Sequence, residues 1–384
     1  MNKSEPRGPR GRRAADGKTS AEDVWSQVHK RQAAELKGKW ASMVEPNVVV
    51  IGGKGAGKTT IVQTFVFREG GAGRSGGDSA PEPTTSLDYR YLRTGFRASS
   101  DFKQTITHVW ELGGERALSR LLDIAVNTDT VQKTGIVIVA DLSRPKETLS
   151  DVHFWLAAAK RRVTDILDKL KNKKPKVPFE MAARARGRLG ASHPDLAALE
   201  GQICAVPILI VANKFDQFKS TSVEKLRVVA RTLRAIAHCA GAGIVYVDKT
   251  DGASRQSLLA HLSRIQRMQR GVIDRKKDAS MIPQTKDIQK LSISFGQDSL
   301  ADIGPASVIP TVSPQTMLDE WTQQYRKHFP ASKGNDACGD SKASVHLDAE
   351  ASVDAVLQQM NIQAKQAARG AALKKKLQLS SRKN

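Results

Sequence analysis

The 384-residue sequence predicts an α/β protein built on a doubly wound, mostly parallel sheet, and three observations lead there. Residues 135–142 (GIVIVADL) and 206–212 (VPILIVA) are near-continuous apolar runs, the composition that a parallel strand buried on both faces requires. From residue 47 to residue 270 strand-like and helix-like stretches alternate, the rhythm of strands joined by crossover helices. The first strand, 47–51 (NVVVI), runs directly into GGKGAGKTT at 52–60, a glycine-rich loop opening a helix at the strand end where such sheets bind ligands.

Taken in order, residues 1–45 form a basic N-terminal tail. Its first 17 residues, rich in Gly, Pro and Arg, predict disorder, and 21–40 places Val24, Trp25, Val28 and Leu36 at helix-like spacing, a candidate docking helix. The main domain spans 46–272. After strand 47–51, the helix following Lys58 opens its apolar face with Ile61 and Val62, and a Gly/Ser loop at 70–83 predicts an exposed, flexible connection. Strands at 86–92 and 105–112 follow, joined by a polar turn around 97–103. Then come the strand 135–142, a long helix at 145–171, and a basic stretch at 173–202 with Pro175, Pro178 and Pro194 that reads as an insertion. The strand 206–212, a helix at 222–240, a strand at 243–247 and a closing helix at 254–270 complete the domain.

Residues 273–331 read as a C-terminal appendage, extended over 292–310 and helical over 316–329. That helix carries Met317, Leu318, Trp321, Tyr325 and Phe329 at i, i+4 spacing before Pro330. Leu318, Trp321, Tyr325 and Phe329 are the candidate partner-binding residues; the alternative is that this face packs back onto the domain's own surface. Residues 332–384 form a basic, largely disordered tail with one helical pattern at 353–368. No internal repeat is visible.

Lys and Arg outnumber Asp and Glu by 61 to 39, a formal charge of +22 that suits nucleic acid, a membrane surface or an acidic partner. The basic stretches lack aromatic interleaving and zinc-ligand spacing, so they read as solvated tails and no nucleic-acid partner is expected. Cys204, Cys239 and Cys338 are few and scattered, which points to a reducing compartment without a disulfide framework. No run approaches the ~18 consecutive apolar residues of a membrane span, and the basic N-terminus is not followed by the apolar segment of a secretory signal.

The glycine loop completes G-x-x-x-x-G-K-T, the pattern of a phosphate-binding P-loop; the alternatives are a glycine turn that binds nothing and a loop that holds a nucleotide purely as a structural part. Gly52 and Gly57 permit torsions that let successive N–H groups turn inward, and Gly53, Lys54, Gly55, Ala56 and Thr60 complete the cradle. Lys58 reaches toward β- and γ-phosphates, and Thr59 is the Mg²⁺ ligand. Asn213, Lys214, Phe215 and Asp216 close the strand ILIVA as N-K-x-D. The Asp216 carboxylate can accept from both the N1–H and the exocyclic amine of guanine, a donor pair that adenine lacks, so GDP or GTP with Mg²⁺ is the expected cofactor. A plain polar turn after a strand is the alternative. Glu111-Leu112-Gly113-Gly114-Glu115 stands where a small G protein keeps D-x-x-G-Q. Glu111 replaces the Asp that organises Mg²⁺, and Glu115 replaces the Gln that orients the attacking water, so rapid hydrolysis is not expected. Thr85, with Thr84 as its neighbour, is the second candidate Mg²⁺ ligand, and Lys249 the candidate cover for the base edge. Together these positions refine the predicted fold to a P-loop, Ras-like G domain with an extended and helical C-terminal appendage and disordered basic termini.

The P-loop, PTTSLDYRY, HVWELGGE, IVIVADLSRP and the basic stretch before PILIVANKFDQF together resemble the dynein light intermediate chains over about residues 47–330. Within that family, SFGQDSLADIGP and the W-x₃-Y-x₃-F-P ending at 317–330 resemble the branch of cytoplasmic dynein-2. The resemblance implies a Ras-like core that holds nucleotide structurally and docks on the dynein-2 heavy chain, with other intermediate and light chains and intraflagellar transport particles as further partners. It implies no catalysis by this chain, the motor ATPase lying in the heavy chain, and a location in the cytoplasm, the cytoskeleton and the cilium or flagellum, at axoneme and basal body. The competing expectations are a regulatory small-GTPase-like switch and a dynein-1 light intermediate chain that links cargo adaptors.

Overall fold

The computed structural model describes residues 44–69, 82–98, 101–269, 282, 284–305 and 313–330. The expected docking helix at 21–40, most of the 70–83 loop and the tail beyond 331 lie outside the described residues. Among the described residues seven strands form one sheet: β1 (Asn47–Gly52), β2 (Leu87–Ala98), β3 (Asp101–Leu112), β4 (Thr134–Asp141), β5 (Ile208–Asn213), β6 (Gly243–Tyr246) and β7 (Ser292–Ile293). Their spatial order is β2-β3-β1-β4-β5-β6-β7. The five strands β3, β1, β4, β5 and β6 run parallel, while β2 and β7 pair antiparallel at the two edges.

Alternation along the central strands divides the core. On β4, Ile136, Ile138 and Ala140 face one apolar cluster and Val137 and Val139 the other. The first cluster is closed by helices α2 (Pro145–Lys173), α4 (Val223–Ala240) and α6 (Pro314–His328), the second by α1 (Lys58–Glu69) and α5 (Gly252–Gln269). Helix α2 buries Leu149, Val152, Trp155, Leu156, Val163, Ile166 and Leu170, the three-and-four spacing of one helical face. The carboxyl ends of β1, β4 and β5 therefore open side by side, and the loops that follow them meet there.

Two expectations change. Within the basic stretch at 173–202, read as an insertion without a helix, helix α3 (Lys176–Leu189) forms and buries Val177, Met181, Ala185 and Leu189 at regular four-residue spacing. Pro178 is tolerated because it falls in the first turn, whose N–H groups have no helical acceptor. The second correction concerns α6. Trp321, Tyr325 and Phe329 are 5%, 1% and 8% exposed and join the main core, with Leu318 partly buried against it. The Trp321 indole N–H donates to the Gly304 carbonyl at 3.1 Å, and the Tyr325 hydroxyl donates to the Pro145 carbonyl at 2.6 Å. Assigning these aromatics to a partner groove is thus incorrect, because the domain itself uses the apolar face. Ser313 caps the helix by accepting the Thr316 N–H, and Pro314 occupies the first helical position.

Candidate nucleotide site

The glycine loop leaves the central strand β1 and turns into α1 at Lys58. Gly57 has φ of 90°, and a Cβ there would fall 2.3 Å from Asn213 Nδ2, so both its conformation and its neighbour require glycine. The same amide nitrogen donates to the Ala56 carbonyl at 2.8 Å. Asn213 thereby ties the N-K-F-D stretch to the glycine loop, bringing together two sequence motifs more than 150 residues apart.

Lys58 is 6% exposed, and its ammonium donates to the carbonyls of Gly52 (3.1 Å) and Gly53 (2.9 Å). Burial pushes its pKa down to about 8 against the opposing pull of Glu111 and Asp151. The Thr59 hydroxyl donates to Glu111 Oε1 at 2.6 Å. Glu111 is 2% exposed, and its second carboxylate oxygen, Oε2, has no hydrogen-bond partner. A buried carboxylate oxygen without a partner is costly. An oxygen-seeking divalent cation beside Thr59 would satisfy it, so the residues present fit Mg²⁺, which Thr59 and Glu111 would hold. Thr85 does not join them: it is exposed, and it meets the site through its carbonyl, which lies against Gly113.

The guanine-reading candidates are arranged around the β5 end. Lys214 adopts a left-handed conformation (φ 60°) and its ammonium bonds Asp141 Oδ2 at 2.8 Å. Burial alone would raise the Asp141 carboxyl, but hydrogen bonds from Lys214 and Ser143 outweigh it and hold it below the usual range. Asp216 Oδ1 meets the Lys249 N–H at 3.5 Å, the long limit of a hydrogen bond, so Lys249 does reach the N-K-F-D turn, through its backbone. At the loop's outer side Lys54 and Glu115 form an exposed ion pair of 3.1 Å. Gly114 lies directly on the glycine loop, where a Cβ would come within 2.3 Å of the Lys54 nitrogen. Gly53 and Ala56 are buried, whereas Gly55 and Thr60 are exposed.

Sequence reasoning overlooked Asp141 and Arg144. Arg144 donates to the Lys54 carbonyl at 2.6 Å and to Glu147 at 2.7 Å, and its Nε lies 3.3 Å from Asp141. The available signal was an acid closing a buried apolar strand, followed by Ser and Arg before a helix-starting proline. A cavity of about 470 Å³ lies further along the sheet, lined by Phe215, Lys219, Tyr246, Asp248, Ser254 and Leu291. No glycine-loop residue lines it. His193, Asp195 and His238 converge as a metal site would, but both ring nitrogens of His193 are already engaged, with the Asp195 N–H and the Asp298 carbonyl. That cluster is structural.

A family model described as dynein light intermediate chain matches residues 19–251. The chain is a dynein light intermediate chain. Among curated relatives in this family, cytoplasmic dynein 2 light intermediate chain 1 of Bos taurus is 31% identical over 329 residues, covering 82% of this chain and 86% of its own. The Homo sapiens protein of the same name is 30% identical over 324 residues, with 82% and 86% covered. Cytoplasmic dynein 1 light intermediate chain 1 of Homo sapiens matches at 26% over 173 residues, only 43% of this chain and 29% of its own length. Among solved structures, one titled as the crystal structure of the dynein light intermediate chain's conserved domain superposes with a TM-score of 0.52. It is 15% identical and covers 76% of this chain and 94% of its own, a likeness of fold.

Proposed function

We propose that this light intermediate chain is a non-catalytic subunit of a cytoplasmic dynein-2 motor for retrograde intraflagellar transport. Its Ras-like G domain stabilises the dynein-2 heavy chain and holds guanine nucleotide as a structural part. The observation that carries the assignment is the breadth of the match: relatives named for dynein 2 align over 82% of the chain, the dynein 1 relative over 43%. Other dynein-2 intermediate and light chains and intraflagellar transport particles are the accompanying partners, in the cytoplasm and along the ciliary or flagellar axoneme and basal body. The strand order, with β2 alone antiparallel on its side of β1, supports the Ras-like reading.

Support for a nucleotide comes from the convergence of Lys58, Thr59, Asn213, Lys214 and Asp216 at neighbouring strand ends. Support for slow or absent turnover comes from Glu115. A carboxylate held by Lys54 offers an attacking water no amide donor and adds negative charge where a terminal phosphate would bring more. Since the aromatic face of α6 is buried, the heavy-chain contact belongs to other surfaces.

Two measurements test this reading. Tagged full-length chain recovered from ciliated cells should bring down the dynein-2 heavy chain and intraflagellar transport proteins; a dynein-1 heavy chain in their place overturns the assignment. Nucleotide extracted from the native protein and resolved by chromatography should be GDP or GTP. A protein that carries neither, and that does not bind added fluorescent GDP, has no nucleotide role.

A further inference from the structure

The turn that follows β4 touches both the glycine loop and helix α6, through adjacent residues. On one side Arg144 donates to the Lys54 carbonyl at 2.6 Å, and Lys214 holds Asp141 at 2.8 Å. On the other, the Tyr325 hydroxyl donates to the Pro145 carbonyl at 2.6 Å from a ring that is 1% exposed. The turn is further tightened by Thr148, whose hydroxyl donates to the Asp141 carbonyl at 2.5 Å and the Arg144 carbonyl at 3.0 Å. Asp141 also accepts from the Ser143 N–H and hydroxyl. Its backbone is thus fixed at every residue from 141 to 145, and a shift at Pro145 has no slack to dissipate in before it reaches Arg144.

We infer that Tyr325 and Arg144 are positioning residues of the nucleotide site, Tyr325 fixing the start of α2 and Arg144 carrying that position to the glycine loop. With α6 seated, the Tyr325 hydroxyl fixes the start of α2, and the guanidinium of Arg144 holds the outer limb of the glycine loop at Lys54. Without that hydroxyl the start of α2 loses its anchor and the loop its brace, so phosphate contacts at residues 53–58 weaken. The coupling is reciprocal: a ligand that orders the loop also favours the seated helix. This inference rests on the nucleotide reading above and assigns that site two positioning residues. The ion pair of Lys54 with Glu115 does not substitute for the brace, because it holds the end of the Lys54 side chain and not the backbone carbonyl that Arg144 bonds.

The test is Tyr325→Phe in the full chain, which keeps the buried ring and removes only the hydroxyl. Hydrogen exchange without nucleotide should show faster exchange at residues 52–59 than in the wild type. Fluorescent GDP should bind about three- to tenfold more weakly, a range equal to roughly 0.7–1.4 kcal/mol of coupling. In the wild type, saturating GDP should slow exchange in 314–328. Unchanged exchange at 52–59 together with unchanged GDP affinity overturns the inference while leaving nucleotide binding intact. A wild type that binds no GDP overturns the nucleotide reading and this positioning with it. Arg144→Lys, which loses the forked guanidinium, should reproduce the Tyr325→Phe effect on the loop without loosening α6; exchange that rises equally in 314–328 would mark a merely structural role.

Discussion

The glycine loop and helix α6 lie on either side of the same turn and are held by opposite means. The loop is held by polar contacts: Lys58 on two carbonyls, Thr59 on Glu111, Asn213 on Ala56, Arg144 on Lys54. Each is worth about 0.5–1.5 kcal/mol net, somewhat more where a charge takes part, and a polar group that loses one can bond water or another polar group instead. Helix α6 is held by burial of Met317, Trp321, Tyr325 and Phe329, each side chain worth about 1.5–3 kcal/mol. No such exchange is open to it: lifting the helix bares apolar surface to water. The loop is accordingly the part that can change state within the fold, and the helix is part of the fold itself.

The strongest attempt to break that contrast is Trp321→Ala. Removing a buried indole that also donates to the Gly304 carbonyl should cost about 3–5 kcal/mol, read as a large fall in the midpoint of chemical denaturation. A midpoint that barely moves would mean that α6 is not integral to the core, and would return its aromatic face to the role of a partner surface.

That face shows where sequence reading stops. The central strands were legible because apolar runs such as VVVI and ILIVA have few alternatives to a doubly covered sheet, and the observed β1, β4 and β5 follow them within two residues. The candidate site was legible for a different reason. Its glycines, Lys58 and N-K-F-D encode local backbone shape, which neighbouring residues suffice to specify. An aromatic stripe encodes only that something apolar must cover it. Whether the cover is a partner or α4 depends on contacts between residues far apart in the chain, and periodicity carries no record of those. The same limit hid Arg144, whose acceptor lies 90 residues away at Lys54. Helix α3 was missed differently, because Pro175, Pro178 and the surrounding charge masked a regular Val177, Met181, Ala185, Leu189 spacing.

A smaller effect distinguishes the loop by pH. Burial has lowered Lys58 to about 8 from 10.5, so in the ligand-free protein the cost of a buried ammonium is present below about pH 8 and relieved as the pH rises toward 10.5. Its contribution to stability should therefore increase across that window, and the gap between wild type and Lys58→Met should show it. Bound phosphate acts in the opposite sense by favouring the charged form. GDP affinity should be greatest below about pH 8 and decline above it, by up to about tenfold per unit. Equal affinity at pH 7 and pH 9 would remove Lys58 from the binding site.

The smallest effect belongs to Lys54. Its ion pair with Glu115 leaves the two side chains 79% and 59% exposed, so water and salt screen it, and Lys54→Ala should change stability by no more than about 1 kcal/mol. What holds the Lys54 backbone is unaffected by that truncation, since Arg144 bonds its carbonyl and Gly114 packs on its nitrogen. The side chain nevertheless ties the Glu115 segment across the loop's outer side, and releasing it should speed GDP dissociation while the denaturation midpoint stays put. Stopped-flow chase of fluorescent GDP measures the first and urea titration the second. A change in stability without a change in release would make the pair part of the scaffold, and the polar region would then resemble α6 more closely than its hydrogen bonds suggest.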